Sequence, residues 1–102
     1  MWHEHSVIRN KYGLKTFHLL IKGKVQGVFY RSSARDKATI LGLKGWVANT
    51  SDGSVELIVS GEHDVILTFI NWCHIGPMAA KVSEVIVNEL PGQMFYDFTI
   101  KR

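Results

Sequence analysis

The chain has 102 residues, of which 46% are hydrophobic and 21% charged, with a formal net charge of +3. This is enough apolar material for one domain with a single core, and it excludes wholesale disorder. The lysines and arginines are scattered, so the mild positive charge suits small anionic substrates and gives no nucleic-acid footprint.

Met1 to Leu14 holds no hydrophobic region of signal-peptide type. Residues 1–15 read as an N-terminal extension of unknown role, a tail or an added strand, ahead of a domain spanning 16–102. No apolar stretch approaches the roughly 20 residues that cross a bilayer as a helix, so no membrane partner is expected.

Thr16 to Lys22 has the alternation of a first strand, with Phe17, Leu19 and Ile21 on one face. Leu20 on the other face implies partial cover there too. Gly23 to Val28 breaks the pattern and reads as a loop. From Phe29 or Tyr30 the period becomes helical through Tyr30, Ala34, Ala38 and Leu41, and Gly42 is a ready stop. Arg35, Asp36 and Lys37 fall mostly on the solvent side.

Lys44 to Ala48 and Ser54 to Ser60 bracket Asn49-Thr50-Ser51-Asp52-Gly53, which predicts a hairpin. Val55, Leu57 and Val59 share one face of its second strand. A second helix beginning at Glu62 or Asp64 places Ile66, Phe69, Ile70 and Cys73 on one stripe and ends at Gly76-Pro77. Cys73, the single cysteine, excludes an intrachain disulfide framework and reads as inert core, with a reduced, cytoplasmic setting as the default. Phe69, Trp46 and Trp72 read as core packing as well.

Lys81 to Leu90 is a Val-rich strand, Pro91-Gly92 a turn, and Met94, Tyr96, Phe98 and Ile100 alternate in a terminal strand. The order β-α-β-β-α-β, with one more short strand at the end, predicts a ferredoxin-like α+β sandwich: a mostly antiparallel sheet with two helices on one face. In that fold the first two strands run parallel with the third between them. The loop after the first strand and Asn49 at the end of the second then meet at the carboxyl edge of the sheet.

An arginine at the start of a helix is unfavourable by itself, because that end already carries about half a positive charge. The misfit at Arg31 vanishes if an anion sits between its guanidinium and the amides of the preceding loop. Glycines at both ends of that loop let successive N–H groups turn toward one point. By itself the loop is equally a plain connection followed by a solvated arginine, and Asn49 by itself reads as a turn residue before it reads as a functional one. His3 and His5 form an H-x-H pair, but nothing ties them to His18, His63 or His74, so no metal site is expected.

These residues resemble a known family. Gly23 to Arg31 is similar to the acylphosphatase signature G-x-V-Q-G-V-x-F-R, with Tyr30 where phenylalanine is usual, and Gly45 to Gly53 is similar to its companion G-W-V-x-N-x-x-D-G. The likeness runs from about Thr16 to Arg102. It implies hydrolysis of acyl phosphates to a carboxylate and inorganic phosphate, by a monomer without cofactor or metal. In the family's pattern Arg31 binds the phosphoryl group, the amides of Val25, Gln26, Gly27 and Val28 complete the cradle, and Asn49 positions the attacking water.

Other readings make different demands. An RNA-binding module of this architecture stacks bases on a central strand, yet Ser54 to Val59 has no aromatic residue. A non-catalytic anion-binding domain needs the cradle but no water-orienting amide. An acylphosphatase-like segment of a large hydrogenase-maturation protein calls for further domains, against which 102 residues argue.

Overall fold

The computed structural model describes residues 14–102. The H-x-H pair and all but the last two residues of the N-terminal extension lie outside the described residues. In chain order the elements are strand β1 (Leu14–Lys24), helix α1 (Tyr30–Ile40), β2 (Lys44–Asn49), β3 (Val55–Glu62), helix α2 (His63–Cys73), β4 (Lys81–Leu90) and β5 (Phe98–Ile100). They form one five-stranded sheet in the order β4-β1-β3-β2-β5. β1 pairs antiparallel with β3 and β4, β2 pairs antiparallel with β3, and β5 runs parallel to β2. This is the expected ferredoxin-like α+β arrangement.

Period-2 alternation fixes which face carries the helices. The register sets Leu19 against Leu57 and Ile21 against Val55 across β1 and β3, and Val47 against Leu57 across β2 and β3. All of these are fully buried, as are Ala34 and Ala38 of α1 and Ile66, Phe69 and Cys73 of α2. Burying a side chain such as Phe69 contributes about 1.5–3 kcal/mol, and its ring meets Phe98 of β5 edge-on at 6.1 Å between centroids.

Helix α1 stops as expected at Gly42, which takes φ 76°. The Leu43 N–H donates to Ala38 O at 2.9 Å and the Gly42 N–H to Thr39 O at 3.0 Å, the paired bonds of a Schellman ending.

Three expectations are corrected. Gly23 and Lys24 belong to β1, which continues past a register shift at Lys22/Gly23 to pair with β4; the alternation lapses at that irregularity, but the ladder does not. The terminal strand is only Phe98–Ile100, and Met94 and Tyr96 are exposed. Trp46 is not core: it pairs with Ile58 on the face away from the helices, where the Lys101 ammonium sits 4.2 Å from its ring centroid.

Candidate active site

Because β1 and β2 flank β3, their carboxyl ends lie two strand spacings apart, about 10 Å. The loop leaving β1 and Asn49 ending β2 occupy those two positions. Asn49 pairs with Val55 and, two residues on from buried Val47, lies on the helix-bearing side of the sheet. Helix α1 begins on that same side, which brings Arg31, its second residue, to the rim.

The loop is bent by left-handed backbone at two positions on either side of Val28. Gly27 has φ 76° and Phe29 has φ 66°, ψ 25°. Alternation of this kind turns consecutive N–H groups toward a common point, the geometry of an anion-binding nest. Phe29, at 80% exposure, is the one described non-glycine residue with positive φ. It caps α1 without a side-chain hydrogen bond, and the first turn holds no acidic residue. The amides of the helix start, without a side-chain cap, therefore add positive potential beside Arg31.

A cavity of about 320 Å³ opens here, lined by Val25, Gly27, Phe29, Tyr30, Arg31, Ser32, Asn49, Ile100 and Arg102. A second, of about 400 Å³, shares Arg31, Asn49 and Arg102 and reaches over Trp46, Ala48, Glu56 and Lys101. Of the residues expected at the site, Val25, Gly27, Arg31 and Asn49 line the first cavity, whereas Gln26 and Val28 do not. The Val28 side chain is buried in the core. The Gln26 amide nitrogen donates to Thr50 O at 2.8 Å and to Ser54 O at 2.7 Å, fastening the loop to the hairpin turn.

That turn is itself closely bonded. Thr50 N–H donates to Ser54 O at 2.9 Å, and the Thr50 hydroxyl donates to Asp52 Oδ1, which also accepts from Ser54 N–H at 3.2 Å. These bonds hold the exposed Asp52 carboxyl down at about 2, the Thr50 hydroxyl having the largest effect. Lys22 reaches the turn from β1, with Nζ 3.5 Å from Asp52 Oδ2.

Tyr30 secures the far side of the loop. Its hydroxyl donates to Cys73 O, at the end of α2, over 2.7 Å. Burial raises the phenol well above its ordinary range, so it stays protonated and donating. Burial likewise pushes the Cys73 thiol up to about 12, outside the range of a nucleophile.

Among the described residues, no carboxylate lies within ion-pair distance of Arg31, and no three His, Cys, Asp or Glu side chains cluster as metal ligands. Phe29, Ser32 and Arg102 line the cavity without having been anticipated. Arg102 in particular had no sequence signal, because its place depends on the parallel pairing of β5 with β2.

The acylphosphatase family model matches residues 17–100. The chain is 50% identical over 86 residues to an acylphosphatase of Marinobacter nauticus, across 83% of this chain and 94% of that protein. It is 54% identical over 71 residues to an acylphosphatase of Azoarcus sp., across 70% of this chain and 72% of that protein. The solved structure of an acylphosphatase from Coxiella burnetii matches at a TM-score of 0.86 and 42% identity, covering 89% of this chain and 96% of that one. Motifs, sheet order and relatives agree: this chain belongs to the acylphosphatase family of hydrolases.

Proposed function

We propose that the protein hydrolyses acyl phosphates, with Arg31 and the amides of Val25 to Val28 holding the phosphoryl group and Asn49 orienting the attacking water. The observation that carries this reading is the cavity at the carboxyl edge of the sheet, which Arg31, Asn49, Val25 and Gly27 line together. The uncapped start of α1 and the left-handed turns at Gly27 and Phe29 favour an anion there.

The chemistry asks little of side-chain acids and bases. An acyl phosphate is a mixed anhydride whose carboxylate is a good leaving group, so no strong general acid is required. Phosphoryl transfer depends mainly on positioning and on stabilising charge over the equatorial oxygens. A guanidinium supplies a fixed fork of donors for those oxygens, and main-chain amides supply more. The Asn49 carboxamide does not titrate near neutral pH. It orders the water by hydrogen bonding, and the water's proton passes to solvent or to a phosphate oxygen.

The expected protein is a cytoplasmic monomer acting on a small molecule. The test is phosphate release from benzoyl phosphate in the presence of EDTA, with inorganic phosphate as a competitor. Steady release with competitive inhibition supports the reading. Tight phosphate binding with no turnover would make the chain an anion-binding module, and loss of activity in EDTA would overturn the metal-free mechanism.

A further inference from the structure

The geometry points to Arg102 as a second guanidinium that binds the phosphoryl group, an inference resting on the site reading above. The cavity of about 320 Å³ is lined by two arginines, Arg31 and Arg102, and by no acidic residue. Both line the adjoining cavity of about 400 Å³ as well. Its one acidic residue, Glu56, already accepts from or pairs with His18 Nε2 at 2.7 Å. Among the described residues, neither arginine has a carboxylate within ion-pair distance. Two arginines lining one small space bring like charges together, and a phosphate dianion can answer both guanidiniums.

The segment before Arg102 is anchored tightly enough to aim it. Ile100 pairs with Val47 across the parallel strands. The Lys101 N–H donates to Val47 O at 2.8 Å, one residue beyond the end of β5. The Lys101 ammonium lies over the Trp46 ring on the opposite face of the sheet. With Lys101 committed to that face, Arg102 follows at the rim where Asn49 ends β2. Main-chain pairing to the strand that carries Asn49 thus delivers the second cation to the site.

The experiment compares the full chain with Arg102→Gln, Arg102→Lys and Lys44→Gln. Lys44 is exposed at the start of β2, so Lys44→Gln removes one positive charge far from the cavity. Binding of inorganic phosphate is measured by calorimetry, and benzoyl phosphate hydrolysis by steady-state kinetics. Arg102→Gln is expected to weaken phosphate binding and raise KM by about tenfold, the value of a charge-assisted hydrogen bond. The Lys variant should recover part of that loss, and Lys44→Gln should leave binding within about twofold, as for a distant screened charge. Unchanged phosphate binding in Arg102→Gln, with the unsubstituted chain binding well, overturns this inference alone. Equal losses in Arg102→Gln and Lys44→Gln overturn it too, since net charge would then be the cause. If the unsubstituted chain binds no phosphate, the reading of the whole site falls and this inference with it.

Discussion

The Gln26 carboxamide spans from the loop after β1 to Thr50, the residue next to Asn49, donating to the Thr50 carbonyl at 2.8 Å and to Ser54 O at 2.7 Å. One side chain therefore fixes the separation between the loop and the strand end that bears Asn49. Gln26→Leu should lower kcat about tenfold with a smaller change in phosphate binding, and lower stability by about 1–3 kcal/mol through two lost hydrogen bonds, although Thr50 N–H still donates to Ser54 O and Gly53 N–H to Thr50 O. Gln26→Glu replaces the donor with an acceptor facing those carbonyls. Its activity should recover as pH falls, because protonation restores one donor. A pH–kcat profile identical to that of the unsubstituted enzyme would refute the bracing role.

The proposed mechanism gives Arg31 and Asn49 separable tasks. Arg31→Ala should lose both phosphate affinity and turnover, with kcat/KM down by about 10³-fold or more. Asn49→Ala should lose about 10²–10³-fold in kcat, in the range of other positioned donors, while phosphate binds nearly as before. Full benzoyl phosphate hydrolysis by Asn49→Ala in a steady-state assay would remove its water-orienting role.

Phe29 occupies left-handed backbone at φ 66° while 80% exposed, so it packs little in return for the conformation. That conformation costs a side-chain-bearing residue about 1–2 kcal/mol, against about 0.5–1 kcal/mol for the extra unfolded-state freedom of glycine. Phe29→Gly should therefore match or modestly exceed the starting stability in urea unfolding. Phe29→Val, β-branched at the same position, should lose about 1 kcal/mol or more. The reverse order would show that the conformation is not strained.

Tyr30, where the family's signature has phenylalanine, ties the loop to the end of α2. Tyr30→Phe keeps the ring and removes the donor to Cys73 O, so denaturant unfolding should show a loss of about 1 kcal/mol. Cys73, fully buried with its thiol pushed up to about 12, should not react with a thiol reagent until the chain unfolds. Rapid labelling of the native protein at neutral pH would contradict this burial.

Asp52 predicts a pH window. Its folded-state carboxyl is lowered from the ordinary 3.8 to about 2, chiefly by the Thr50 hydroxyl. A depressed acid stabilises the fold above its unfolded value and loses that contribution as pH falls through the folded one. The stability advantage over Asp52→Asn should therefore be present at neutral pH and fade between about 4 and 2. Thermal unfolding of both proteins across that range gives the measurement, and an advantage that survives at pH 2 would rule out the carboxylate as its source.

Local order alone accounts for much of this protein. Strand alternation at Leu19 and Ile21, helical spacing through Ala34 and Ala38, and Gly42 as a stop depend on neighbours within a few residues, so they are written in the chain. Arg31 and Asn49 were legible because each holds a set place in a motif of fixed spacing, at the start of a helix or the end of a strand. Tertiary structure decided the remainder, since it turns on pairings between distant segments. β5 is short because its partner contacts run only from Gly45 to Val47, and Gly45 N–H already bonds Asp97 O, leaving Met94 and Tyr96 no strand to join. Trp46 faces Lys101 because register sets it opposite the helices. Gln26 serves as a brace, and Arg102 reaches the cavity, only once β1, β2 and β5 stand side by side, a juxtaposition that no local preference encodes.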